Sequence, residues 1–248
     1  MADVPGFYGK FPELGDFVNR RLPQGFIDNW DEWLQQSISS SREKLGENWL
    51  NAYLTSPIWR FAVDRGLLGD FPWCGLLMPS VDRVGRYFPL TLACRLPLDA
   101  SLFSVFYNGG AWFDAAEQVI LRALEERLDM NDFDNQVVSL GNLEHVAMPF
   151  SHKPDKGFGQ AWRIPLSDSD CKPGLSGLAQ NLIVQRLGTH SAWWSSGSEN
   201  VDPSLLLCSE LPRPQDFAAM LLGNWNSSNW EQWGGEADSL GVEGIDGQ

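Results

Sequence analysis

Two apolar runs, Cys74-Gly75-Leu76-Leu77-Met78 and residues 87–96, flank a short polar connection, and this pattern constrains the fold more than any other stretch. Each run reads as a buried strand, short, apolar and bounded by a turn signal. Pro79 ends the first, because it has no N–H to give to a ladder. Between them, Ser80-Val81-Asp82-Arg83-Val84-Gly85-Arg86 sets a Ser, an Asp and two Arg on one loop held by core strands, a place where binding groups tend to sit. One reading is an anion or carboxylate site built from Arg83 and Arg86 and oriented by Ser80 and Asp82. The plainer reading is that Asp82 and Arg83 tie the loop to itself and Arg86 pairs with a neighbouring acid, as charged loop residues commonly do.

The chain before this pair reads as strands and a long helix. Residues 6–12, GFYGKFP, suggest a short first strand, and Phe17-Val18 a second beyond a turn. Gly9-Lys10 is not a phosphate loop, because the GxxxxGK[ST] spacing is missing and Phe11 stands where a hydroxyl is needed. Lys10, Asp16, Arg20 and Arg21 are expected as a polar rim near the central loop, although single charges are usually just solvated. Pro23 suits the first position of a helix. Phe26, Trp30, Trp33, Leu34 and Ile38 then follow at helical spacing, with Asp28, Asp31 and Glu32 near its amino end and Gly46 at its close. Trp49, Leu50, Tyr53 and Leu54 predict a further helical turn. Residues 59–63, WRFAV, predict a strand on which Arg60 is a candidate to face the central loop.

Later elements are less regular. Residues 102–107 read as strand or loop edge, and 113–128 as the clearest helix, with Ala116, Ile120, Leu124 and Leu128 in one row. Residues 129–134, DMNDFD, fail as a calcium loop: Phe133 occupies the fifth position, and the required Gly and the terminal Glu are missing. A brief strand is expected over 137–140, loops over 149–159 and 167–177, a strand over 161–166, and a helix over 178–187. The Trp193-Trp194 pair is either a binding surface or a strand with one ring buried and one at the edge. Leu205-Leu206-Leu207-Cys208 predicts a strand, and Pro214 a last helix ended by Gly223. Residues 224–248 read as an acidic tail carrying Trp225, Trp230 and Trp233; its last dozen residues have the composition of disorder, whereas packing back onto the domain is the common outcome for such tryptophans. Together these elements predict a single α/β (α+β) domain over 1–223, a mixed or antiparallel sheet flanked by helices, for which a longin-like arrangement is one candidate.

Composition narrows the function classes. A hydrophobic content of 43% supports a real core, and the 12 tryptophans suit cores or interfaces. The net charge of −14 is uneven: residues 1–95 hold 10 Lys/Arg against 11 Asp/Glu, and 96–248 hold 8 against 21. Such an acidic part repels nucleic acid and anionic lipid, so a basic protein partner fits better, although an acidic surface can also serve solubility alone. No run approaches the roughly 18 apolar residues of a membrane span. The start, MADVPGFYGK, has no basic region followed by an apolar stretch, so no secretory signal is expected. Cys74, Cys94, Cys171 and Cys208 form no CxxC and read as reduced thiols of a cytosolic protein. They make no metal spacing with His145, His152 and His190, so neither a metal nor a cofactor is expected.

The same residues carry a resemblance. PSVDRVGRYFPLT, residues 79–91, resembles the signature of the TagF (ImpM) family of type VI secretion accessory proteins. Residues 6–23, GFYGKFPELGDFVNRRLP, resemble that family's opening motif, Ser56-Pro57-Ile58-Trp59-Arg60-Phe61 resembles a third block, and the Trp-Gly stretch 193–197 a weaker fourth. The resemblance implies a cytoplasmic, non-enzymatic protein that restrains assembly of the secretion system after translation, in some systems through a forkhead-associated scaffold protein. It is also the reason to single out Ser80, Asp82, Arg83 and Arg86, with Lys10, Asp16, Arg21, Arg60, Trp193 and Trp194, as candidate binding residues.

Catalysis would need a nucleophile, a base and an orienting group that converge. Cys208, His190 and Asp202 are near in sequence with nothing to position them, and Ser80 with Asp82 has no His nearby. GxSxG, HExxH and dinucleotide fingerprints are missing. Some members of the family are fused to a phosphatase domain, but no metal-binding Asp pattern occurs here. The alternatives to a regulatory binding protein are a hydrolase-like or phosphatase-like enzyme and a domain that senses a small anion at the arginine loop.

Overall fold

A computed structural model describes residues 4–125, 128–143 and 172–232. Seven strands form one sheet: β1 (Gly6–Lys10), β2 (Phe17–Arg20), β3 (Trp59–Val63), β4 (Trp73–Met78), β5 (Leu90–Arg95), β6 (Ser191–Ser195) and β7 (Ser204–Cys208). Their order is β2-β1-β5-β4-β3-β6-β7, and every neighbouring pair is antiparallel. The helices are α1 (Gln24–Leu45), α2 (Trp49–Leu54), α3 (Leu102–Asn108), α4 (Gly110–Glu125), α5 (Met130–Ser139), α6 (Lys172–Leu187) and α7 (Phe217–Leu222).

The apolar run at β4 has a simple cause. β4 is the middle strand, all six of its residues are buried, and apolar residues cover both faces of the sheet beside it. Gly75 within it is required by space, since a Cβ there would stand 2.0 Å from the Leu92 carbonyl oxygen of β5. On β3 the alternation separates two cores: Trp59, Phe61 and Val63 face one, while Ala62 faces the other. The first core is closed by α1, α2 and α7, with Trp30 and Trp33 of α1 packed on Phe61 and Trp193. The second is closed by α3, α4 and α5, where Phe133 meets Phe7 and Phe11. Buried indole N–H groups find acceptors: Trp30 donates to Thr91 Oγ1 (2.8 Å), Trp33 to the Pro212 carbonyl (2.7 Å) and Trp59 to the Met220 carbonyl (3.1 Å).

Several expectations change. Residues 102–107 belong to α3 and not to a strand: the Ser101 hydroxyl accepts the Phe103 N–H as an N-cap, and Leu102 and Val105 are buried at helical spacing. Residues 137–140 are not a strand either. Asp129 caps α5 by accepting the N–H groups of Asn131 and Asp132, so the acidic run opens a helix whose Phe133 and Val137 face inward. The expected row on α4 slips, because Trp112, Phe113, Ala116, Val119, Ile120 and Ala123 are buried while Leu124 is exposed. The first turn of α1 holds no acid, and Pro23 is its N-cap rather than its first residue. Residues 172–177, expected in a loop, already belong to α6. The loop expected over 149–159, the strand over 161–166, Cys171, Trp233 and the acidic end lie outside the described residues. Trp225 and Trp230 pack against the first core, Trp225 edge-on to Trp59 and Trp230 donating to the Asp216 carbonyl.

Candidate functional site

The β4–β5 connection is a short, heavily braced loop. Gly85 N–H donates to the Asp82 carbonyl (2.9 Å) and Asp82 N–H to the Arg86 carbonyl (3.0 Å). Gly85 has φ 84°, the left-handed residue that such a three-residue turn needs. Below the turn, Val81 and Tyr87 pair as a single antiparallel bridge. At the base, the Tyr53 hydroxyl of α2 accepts the Ser80 N–H and donates to the Ser80 carbonyl, both at 2.9 Å, and Ser80 Oγ donates to the Lys10 carbonyl of β1 at 2.9 Å. Burial pushes the Tyr53 phenol above its usual range.

Asp82 is the centre of this brace. Its side chain is fully buried, and its Oδ1 accepts the N–H groups of Val84 (3.0 Å) and Arg86 (2.9 Å). Its Oδ2 accepts from Arg86 Nε (2.8 Å) and lies 2.9 Å from Lys10 Nζ, itself almost fully buried. Burial by itself would raise the carboxyl's pKa; the two backbone donors, Lys10 and Arg86 outweigh it and hold the group well below the usual carboxylate range. Lys10 Nζ also sits 4.2 Å over the Phe17 ring.

The candidate residues therefore divide. Lys10, Ser80, Asp82 and Arg86 come together as one polar knot. Arg86 is committed to Asp82, so a two-arginine fork is not formed. Arg83 is exposed, and its N–H donates to the Leu14 carbonyl (3.1 Å) on the β1–β2 turn. Its guanidinium makes no ion pair among the described residues. Asp16 is exposed on that same turn.

The other candidates lie apart. Arg60 does not face the loop: its strand turns it to the opposite side of the sheet, where Nε and one terminal nitrogen hold Glu117 (2.7 and 2.9 Å) and the same nitrogen holds Asp114 (2.7 Å) of α4. Hydrogen bonding to Glu117 outweighs desolvation and raises its pKa further. Arg21 binds the Pro5 carbonyl and Asp134 of α5. Trp193 is fully buried in the first core, and Trp194 packs on Phe106 and Phe113 on the other face. His190 hydrogen-bonds the Gly188 carbonyl and approaches Gln180 of α6, while Cys208 packs against the first core.

Sequence reasoning missed Tyr53, Leu14, Phe17 and Val84. Tyr53 reads as core from its spacing to Trp49, and its bond to Ser80 spans 27 residues. The other three read as ordinary apolar residues, yet Leu14, Phe17 and Val84 are 36%, 47% and 63% exposed, Leu14 and Val84 next to Arg83 and Phe17 linked to the loop through Lys10. An apolar Val84 at the tip of a polar turn was the one available signal.

Fold and site thus define an antiparallel α+β protein, its described residues forming a seven-stranded sheet, with a clamped loop at one end of its central strands. A family model described as the TagF N-terminal domain, type VI secretion system-associated, matches residues 6–140, and the chain belongs to that family. The crystal structure of PA0076 from Pseudomonas aeruginosa PAO1 is similar along nearly the whole chain: TM-score 0.74 and 36% identity, over 93% of this chain and 99% of that one. No curated protein matches the sequence. Among the described residues no helix is long and apolar enough to cross a membrane.

Proposed function

We propose that this protein is a non-enzymatic, cytoplasmic accessory protein of type VI secretion that restrains assembly after translation by binding another protein. Membership of a type VI secretion-associated family supports the setting. The observation that carries the binding role is the Asp82 knot, in which a buried ion pair and a set of hydrogen bonds in and below the loop hold an exposed Arg83 in place. A loop fixed in this way loses little conformational entropy on binding. The proposed partner is a forkhead-associated scaffold protein, with no role for nucleic acid or membrane insertion.

The test is capture of the tagged full chain from a lysate of its own host, with mass spectrometry. The expected result is recovery of cytoplasmic secretion components, a forkhead-associated protein among them, and their loss with Arg83→Glu. Recovery of none, repeated under secretion-inducing conditions, would overturn the reading. The small-anion alternative is weakened by Arg86 being taken up by Asp82.

A further inference from the structure

We propose that the 82–86 turn, with Leu14 and Phe17 beside it, is a docking surface for a partner's peptide segment that carries one carboxylate next to a large apolar side chain. The inference rests on the binding role above and names the chemistry of that partner. Four observations converge on one spot. Arg83 is an exposed cation with no counter-ion among the described residues. Val84, the next residue, is 63% exposed at the tip of the turn. The Arg83 N–H bond to Leu14 brings the β1–β2 turn alongside. Phe17 is tied to the same place through Lys10, which touches both the Phe17 ring and Asp82, and its ring packs edge-on against Phe88 at 4.9 Å.

Charge selects the occupant. Asp82 holds one negative charge against two cations, Lys10 and Arg86, so nothing in the knot is left to neutralise Arg83. A guanidinium presents a planar fork that fits one carboxylate. A polyanion does not fit: the chain carries −14 overall, Asp16 is exposed on the adjoining turn, and Glu13 there already makes an interaction of its own. A single acid flanked by apolar residues satisfies Arg83 and covers Val84, Leu14 and Phe17 together. Because the turn is held by Asp82, Ser80 and Tyr53, the surface is formed before a partner arrives.

The experiment is selection of a displayed random 12-residue peptide library on the full chain, with counter-selection on Arg83→Ala. The enriched peptides should share one Asp or Glu beside Leu, Ile, Phe or Met. For a synthetic copy of the best, changing its acid to the amide and changing Arg83→Ala should each weaken binding about tenfold or more. The two changes together should weaken it little further, because they remove the same contact. Val84→Asp should also weaken it, and Arg83→Lys should retain part of the affinity. Enriched peptides without an acid, binding indifferent to Arg83→Ala, or no enrichment would each overturn the proposal. The peptide amide leaves the protein untouched, so a folding defect in a variant does not blunt the test. The selection uses no secretion component: if peptides bind this way while lysate capture fails, the regulatory reading falls alone, and the reverse removes only this surface.

Discussion

Asp82 makes more contacts than any other side chain in the loop, and the cost of losing its charge is set by Lys10. Asp82→Asn leaves an almost fully buried ammonium without its counter-ion. Breaking such a pair costs about 3–5 kcal/mol, which corresponds to a fall in thermal midpoint on the order of 10 °C for a chain of this size. Adding Lys10→Met should recover part of that loss, because it removes the stranded charge, and calorimetry on the two variants checks both statements. Arg86→Ala should cost far less, since its side chain is 55% exposed. The sign of the pH dependence follows from the same carboxyl. Its folded pKa lies below the unfolded value of about 3.9. Its stabilisation is therefore fully present above that value and is lost as pH falls through the folded one. The wild type should lose stability steeply in strong acid, and Asp82→Asn should show a shallower dependence in urea titrations run across that range.

At the scale of elements, Gly75 joins β4 to β5 at their closest approach. Gly75→Ala puts a Cβ 2.0 Å from the Leu92 carbonyl oxygen and 2.8 Å from the Phe61 ring, and backbone cannot yield there without parting the central strands. The expected result is little soluble protein, or a loss of more than about 4 kcal/mol by denaturant unfolding, in the class of severe core overpacking. The central strand pair was legible because its apolar runs are continuous and bounded by Pro79 and by the polar turn. α1 was legible from a stripe of large rings at one period. α3 was not, since the aromatic, β-branched run of 102–107 carries strand propensity, and the deciding feature is one hydroxyl at Ser101 that caps the backbone. The 129–134 acids likewise read as a loop until Asp129 is seen as a cap. In the candidate site, the loop and its charged residues could be marked from the sequence. The division of labour between Arg83 and Arg86 could not, because it depends on Lys10, more than 70 residues away, taking one side of Asp82.

At the scale of the whole molecule, helices cover both faces of the sheet, and the first and last described elements contribute to different cores. β1 contributes Phe7 to the second core, whereas Trp225 and Trp230 close the first. Replacing both tryptophans by Ala should remove about 2–4 kcal/mol of burial and ring contact. Scanning calorimetry should then show one transition shifted as a unit rather than a new low-temperature transition, because the rings belong to the main core. A separate early transition would mean that residues 224–232 melt by themselves.

The stacking inside the first core also has an optical consequence. The Trp30 and Trp193 rings lie 5.9 Å apart with planes only 4° from parallel, and one sits on α1 while the other sits on β6. Indoles held so close couple their strong transitions, which should give the far-ultraviolet circular dichroism spectrum a paired positive and negative band on top of the backbone signal. Because Trp33 stands 4.9 Å from Trp30 and 5.2 Å from Trp193, either Trp30→Phe or Trp193→Phe should change the shape and size of that band rather than remove it. The band would make the seating of the long helix on the sheet directly visible, with no label attached, while the β4–β5 loop is being mutated.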